Sequence, residues 1–336
     1  MSAGVLKDLF YRVNEYLENR TDDSVELLWH GGEPLMAGSD FFASVSELQG
    51  ELCSGTADRI SHGIQSNLTL FSEKYIGVFK KLKITKIGTS FDPEPGIRGP
   101  GRKINTELYN KKFIESLSLL ERHGFEWGAI YIVTRKSLVR PLDIFFFLTN
   151  LKLSGMISIN PVLIDNGEKS DISITPNEYV EFLGAIFPTW WKYRRRYPHI
   201  EPFGELTELI VNRKIAIEEK EVGETIKNIV IINHDGESLQ SGRPSDKGVI
   251  SYGNIGENRL DDIFRTNKDY VLGDRAYKRR VNDCQSCRIM KVCVNNCEMD
   301  AFAQNDKFME KSEWCEARKD FVEKYVEPVT GVMIDG

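Results

Sequence analysis

Residues 25–34 read VELLWHGGEP: a short apolar-rich run, then a polar turn with two adjacent glycines and a carboxylate. The run is short and ends on turn residues, so it reads as a strand that stops at His30. Gly31 and Gly32 let the backbone approach a bound group and leave its N–H and C=O groups free to bond to it. A strand-to-helix turn of this kind is ordinary when it stands alone, so its weight depends on its surroundings.

Those surroundings alternate between two periods. Residues 4–18 place Val5, Leu6, Leu9, Phe10, Val13, Tyr16 and Leu17 at helical spacing. Residues 40–54, 72–82, 106–123 (stopped by Gly124) and 140–152 read as further helices. Residues 59–67, 84–92, 127–135 and 156–165 read as strands, giving five with the opening run. Strands alternating with helices predict an α/β fold on a parallel sheet. Ligands of such sheets gather at the carboxyl ends of the strands. Here those ends are polar: His30–Glu33, Gln65–Asn67, Thr89–Asp92, Thr134–Arg135 and Asn160. Five polar ends on one rim favour a binding face.

After residue 170 the pattern changes. A helix is expected over about 176–196, with Trp190 and Trp191 as packing residues, and another over 200–220. Residues 228–239 read as a hairpin turning at Asp235-Gly236. The expected organisation is an α/β unit over 1–170, a helical connector over 171–227 and a smaller module over 228–336. The 336 residues suffice for a large core, and 41% hydrophobic with 28% charged residues reads as globular. A formal charge of -6 argues against general nucleic-acid binding, and the basic run KYRRRYP (192–198) reads as a solvated helix end. No apolar run reaches the length of a membrane span and no signal peptide opens the sequence, so a cytoplasmic protein is expected.

Five of the six cysteines fall in the last fifth of the chain: Cys284-x2-Cys287-x5-Cys293-x3-Cys297, then Cys315. In a reducing compartment such a cluster points to a metal rather than to disulfides. A CxxC turn brings two thiolates to one centre and two more complete a tetrahedral set; zinc and iron–sulfur clusters both accept four thiolates. Other motifs are weaker singly. Asp92 suits a ribose or an amine, or simply the turn before Pro93; Arg98 and Arg135 suit a carboxylate, or solvent. His30, His62 and His234 show no triad or metal spacing, and no P-loop, nucleophile elbow or HExxH helix occurs.

WHGGEPLMAG, IQSNLTL, IGTSFDPEPGIR and the cysteine cluster, in this order, resemble the radical SAM enzymes with a SPASM domain, over nearly the whole chain. The resemblance implies a partial (β/α) barrel that binds S-adenosylmethionine, followed by a small iron–sulfur domain. It implies that Gly31, Gly32, Glu33 and Pro34 meet the methionyl amino group, and that Ser66, Asn67, Ser90, Asp92 and Thr134 surround the cofactor. YGNIGENRLDDIF (252–264) resembles the linker before the cluster segment. Cys284, Cys287, Cys293 and Cys315 would hold one auxiliary [4Fe–4S] cluster, and Cys297 would be a spare thiol because the other ligands of a second cluster are absent: Ser241 stands at the post-hairpin position. A hydroxyl is a much poorer iron ligand than a thiolate. The implied activity is maturation of a ribosomally made peptide or a protein, with a peptide or protein substrate and a possible catalytic or electron-donor protein partner. Gly242 stands where sulfatase-maturing members carry an Asp, which favours peptide modification.

The departure lies at the start. The chemistry of these enzymes needs a CxxxCxxC loop, whose three thiolates hold the cluster that anchors S-adenosylmethionine, and this sequence has none. Met1 stands where the first helix of the family begins. The clean cut favours a late start over decay, while the absent hairpin cysteines point to divergence; in either case these residues alone are expected to bind S-adenosylmethionine weakly and to generate no radical. The ligand assignment has a direct check. Cys315→Ala abolishes the visible absorption of thiolate-bound iron in anaerobically purified protein, and Cys297→Ala leaves it; equal loss in both refutes the assignment.

Overall fold

A computed structural model describes residues 1–151, 155–162, 170–197, 199–211, 229–239, 250–269, 284–293 and 311–334. Cys297, Ser241 and Gly242 lie outside the described residues. The first helix, α1 (Ala3–Glu18), is capped by the Ser2 side chain and buries Leu6, Leu9, Phe10, Val13 and Leu17. Strands β1 (Val25–Trp29), β2 (Ile60–Ser66), β3 (Lys86–Ser90), β4 (Glu126–Val133) and β5 (Ile157–Pro161) follow. They alternate with α2 (Ser39–Leu52), α3 (Glu73–Lys81), α4 (Thr106–Arg122) and α5 (Pro141–Thr149). All five expected strands are present. A sixth, β6 (Ile200–Glu201), opens the stretch expected to be helical throughout; helix α7 (Phe203–Val211) starts only after it. Two residues are too few to leave a period in the sequence, which is why β6 escaped the reading.

The sheet is entirely parallel and runs in chain order, β1-β2-β3-β4-β5-β6. Right-handed crossovers between successive neighbours put every helix on the same face. That face is the core. Ile64, Ile87, Thr89, Trp127, Ala129, Tyr131, Val133, Ile157 and Ile159 point to it and are buried. Alternate residues Gly63, Gln65, Gly88, Ser90, Gly128, Ile130, Ile132, Ser158 and Asn160 point the other way and are only half-buried. The sheet is thus an open partial barrel, α/β in class, with its second face available. Small residues shape that face. A Cβ on Gly88 would lie 2.0 Å from Oε1 of Gln65, so the Gln65 side chain lies across Gly88. Its register partner Gly128 is as tight, since a Cβ there would meet the Met156 carbonyl oxygen at 2.7 Å.

Helix α6 (Pro176–Tyr193) begins with a capping box between Thr175 and Glu178 and buries Trp190. The remaining segments flank the α/β unit at two places. Strands β7 (Ile231–Ile232), β8 (Glu237–Leu239) and β9 (Ser251–Asn254) form an antiparallel sheet turning at Asp235-Gly236, as expected. With helix α8 (Leu260–Asp269) it leans on α1: Tyr252, Ile255, Leu260 and Ile263 join the α1 core, and Arg20 pairs with Asp261 at 2.5 Å. The cysteine segment and the final helices, α9 (Trp314–Phe321) and α10 (Glu327–Thr330), pack on α6 instead. Trp314 meets Tyr179 edge-on at 5.7 Å and Phe321 meets Phe187 at 5.7 Å.

A hydrogen bond between half-buried Trp29 and buried His62 ties β1 to β2 and is sensitive to acid. Nδ1 of His62 accepts from the Trp29 indole N–H at 3.1 Å, and Nε2 lies 2.7 Å from Gln49 Oε1. The acceptor role of Nδ1 requires a neutral ring, and burial lowers the His62 pKa from 6.5 to about 4. The folded-state pKa lies below the unfolded one, so unfolded chains take up the proton first and stability is lost as pH falls from 6.5 towards 4. Urea unfolding at pH 7 and pH 5 will show a smaller loss for His62→Gln than for the wild type, by about 2 kcal/mol.

Candidate functional site at the strand carboxyl ends

The structure gathers the predicted rim. His30–Glu33 follow β1, Ser66 and Asn67 close β2, Ser90–Asp92 close β3 and Thr134 follows β4. Parallel pairing in register keeps these ends level: Ser66 is opposite Thr89, and Ser90 is opposite Ile130. Gly31 has φ of +96°, a conformation open to glycine and strained for other residues, which explains its place in the turn. A Cβ at Gly31 or Gly32 would meet nothing within 4 Å, so both glycines border open space.

Glu33 is anchored by the chain itself. Its Oε1 accepts from Ser66 Oγ at 2.7 Å and Leu35 N at 3.0 Å; its Oε2 accepts from Asn67 N at 2.8 Å. The carboxylate therefore stitches the end of β1 to the end of β2 and caps the 3-10 turn Pro34–Ala37. Ser66 is buried and passes the connection on, accepting from Leu68 N at 3.0 Å. Asn67 folds its Oδ1 onto Thr69.

Asp92 is likewise engaged. It is buried, its Oδ1 accepts from the Ile132 backbone N–H at 2.8 Å, and its Oδ2 pairs with the Arg98 guanidinium. Arg98 remains one-third exposed, so the Asp92 pair presents a cation at the rim. Ser90 Oγ accepts from Gln65 Nε2 at 3.4 Å across the open face, and the Ser90 carbonyl accepts from the Tyr109 hydroxyl at 2.7 Å. Arg135 turns outward and forms a two-toothed pair with Glu178 at the start of α6.

The sequence reading missed a buried cluster beside Asp92. Tyr131 donates to the Glu94 carboxylate and contacts Ser137 Oγ at 2.8 Å; Ser137 in turn accepts from Thr134 N at 3.0 Å. Thr134 and Glu94 are both buried. Burial pushes the Glu94 carboxyl above the ordinary range, against the Tyr131 bond, and burial also raises the Tyr131 phenol. The available signal was a tyrosine on the buried phase of β4; nothing marked Glu94, which stands between two prolines.

The cysteines occupy a second place, beside α6. Cys284 O accepts from Cys287 N at 2.8 Å, closing the CxxC turn. Cys284, Cys287, Cys293 and Cys315 are all half-buried and none forms a disulfide. They share one neighbourhood: burial raises the Cys293 thiol, the Arg318 guanidinium opposes that, and Cys315, Cys287 and Cys284 add to it. Among the described residues no group of three or more His, Cys, Asp or Glu is placed to hold a metal ion. What suits an iron–sulfur centre is the chemistry of the donor set, four thiols in one neighbourhood with a cation acting on Cys293. Cys53 takes no part; its buried thiol donates to the Phe10 carbonyl.

The chain is 24% identical over 331 residues to a cysteine-type anaerobic sulfatase-maturating enzyme of Clostridium perfringens, covering 96% of this chain and 87% of that one. It is 23% identical over 320 residues to a serine-type anaerobic sulfatase-maturating enzyme of Bacteroides thetaiotaomicron, covering 87% and 73%. The chain is a homologue of the anaerobic sulfatase-maturating enzymes. Its fold matches the solved structure of anSMEcpe with bound AdoMet, with a TM-score of 0.78 at 22% identity over 98% of this chain and 90% of that one. Streptococcus suis SuiB, solved also with its precursor peptide SuiA, matches more loosely, with a TM-score of 0.57 at 16% identity over 91% of this chain and 69% of that one. No model of a known protein family matches the chain. The resemblance to the radical SAM enzymes therefore holds in sequence and in fold.

The stitch at Glu33 has a measurable weight. Glu33→Ala strips the acceptor from Ser66 Oγ and from two backbone N–H groups, and lowers stability to urea by about 1–3 kcal/mol. Gly32→Ala, which adds a methyl in open space, leaves the unfolding midpoint nearly unchanged.

Proposed function

We propose that the protein is a radical SAM maturase that modifies a side chain of a ribosomally made peptide or of a protein. What supports this most is similarity along nearly the whole chain to two enzymes of that kind, 24% identical over 96% of the chain in one case. S-adenosylmethionine lies at the rim: Gly31, Gly32, Glu33 and Pro34 form one wall, Ser66 and Asn67 the next, then Ser90 with Asp92, then Thr134. The open glycine turn fits this use, because its backbone carbonyls are reachable by an amino group. Glu33 and Asp92 act by holding that turn and Arg98 in place. The cofactor, when bound to a reduced iron–sulfur cluster, supplies one-electron chemistry to the substrate. The half-buried face of the sheet, from Gly63 to Asn160, is where a peptide lies. One auxiliary [4Fe–4S] cluster is held by Cys284, Cys287, Cys293 and Cys315, with Cys297 a spare thiol. The organisation is the one read from the sequence: 1–170 for the partial barrel, 171–227 as connector and 228–336 as the auxiliary domain. Gly242 after Ser241 sets the substrate apart from sulfatases, leaving a peptide as the favoured class. The setting is cytoplasmic; no described helix is long and apolar enough to cross a membrane.

One observation favours a second reading. The 336 residues contain no CxxxCxxC, so the cluster that anchors the cofactor has no ligands among them. In that reading the chain binds a peptide, or serves a catalytic or electron-donor partner, and makes no radical itself. Two measurements separate the readings. Calorimetry on the 336 residues gives weaker than micromolar affinity for S-adenosylmethionine, and under dithionite they release no 5′-deoxyadenosine. A form whose reading frame continues upstream through a CxxxCxxC segment releases it. An in-frame stop codon directly upstream of Met1 sinks the enzymatic reading and leaves the second.

A further inference from the structure

Helix α9 carries Cys315, Arg318 and Lys319 at spacings of three and four, so one thiol and two cations share a helix face. The two cations differ in their surroundings. Lys319 Nζ pairs with Glu316 at 2.7 Å. Arg318 has no carboxylate partner among the described residues, and its Nη1 is fully buried with no hydrogen-bond partner there. An unpaired buried donor is costly, most of all on a charged group. The other arginine of the segment is already neutralised: Arg288 reaches Glu323 at 3.1 Å and the buried Glu327 at 2.6 Å. Lys319 acts on Cys287 and Cys315 but has Glu316 as its counter-charge, whereas Arg318 acts on Cys293 and has no carboxylate partner among the described residues.

We propose that Arg318 is the counter-charge of the auxiliary iron–sulfur centre, set against the group of Cys284, Cys287, Cys293 and Cys315 to raise its reduction potential. The inference rests on the reading that these four cysteines hold such a centre. Four thiolates make the centre anionic, and reduction adds a further negative charge. A fixed cation in a half-buried, poorly solvated place stabilises the reduced form more than the oxidised one. The anion would also answer the buried Nη1 donor. Arg318 is a positioning residue in this account, acting through charge on the centre and not on the substrate.

The test is a dithionite titration of the anaerobically reconstituted 336-residue chain, followed by electron paramagnetic resonance and visible absorption, with iron and sulfide assayed in each variant. Arg318→Met is expected to load the same iron while its reduction equilibrium constant falls about tenfold, ~59 mV for a one-electron couple. Arg318→Lys, which keeps the charge, stays within about twofold of the wild type. A fully loaded Arg318→Met with an unchanged potential overturns the proposal, as does an equal shift in Arg318→Met and Arg318→Lys. Should Arg318→Met fail to load iron, loading by Arg318→Lys still supports a requirement for charge, and failure of both variants marks Arg318 as a packing residue and overturns it. A wild-type chain that takes up zinc and no iron overturns the cluster reading itself, and the inference with it, before any variant is made.

Discussion

The order of the strands governs the rest of this structure. Six parallel strands laid down strictly in sequence, each crossing over in the same hand, force every helix to one face. A sheet wound outward in both directions from a middle strand would bury both faces and leave only a crevice. Among the described residues, no helix of the α/β unit lies over the second face. That face carries Gly63, Gly88, Gly128, Ser90 and Ser158 beside the larger Ile130 and Ile132. Larger residues would fill the concavity from within. The Gln65 side chain lies over Gly88 on that surface, in the room a missing Cβ leaves.

The rim depends on the same geometry. Level strand ends bring carboxylates from one loop within reach of backbone N–H groups on the neighbouring strand. Glu33 crosses from the β1 turn to Asn67 N, and Asp92 crosses from the end of β3 to Ile132 N. Both oxygens of each acid already accept hydrogen bonds from the protein. Their role is to fix loops, and the fixed loops present other groups: an open glycine turn in one case and the Arg98 guanidinium in the other. A carboxylate in a binding motif need not touch what the motif binds.

Much of this was legible in the sequence because the periods were clean. Strand β2 alternates buried and less buried residues along its whole length, and β4 does so over eight. Helix α4 ends at a glycine with φ of +75°, as its stop signal required. The illegible parts share a cause: they are decided by contacts distant in sequence. Strand β6 exists because Ile200 and Glu201 fall beside β5, and no local pattern announces it. The partners of Asp92 and Glu94 lie up to forty residues away, on another strand. The turn motif was readable; the engagement of its acid by Ser66 was not, since that depends on the β1–β2 register.

The auxiliary segments follow a different logic. Among the described residues, the hairpin side packs on the apolar face of α1, and the cysteine side on that of α6. Short pieces with few buried residues are marginal by themselves. Ile289 and Val292, between Cys287 and Cys293, and Ala317 and Phe321, after Cys315, join the same apolar cluster as α6. The apolar contacts of Trp314 and Phe321 with α6 thus orient the face of α9 that carries Cys315 and Arg318, so that hydrophobic packing delivers thiols and a buried cation to one place. That arrangement is unfavourable for a cation with no anion beside it and favourable once the thiols carry charge. Apolar contacts that themselves carry no charge thus set the positions of both the thiols and the cation.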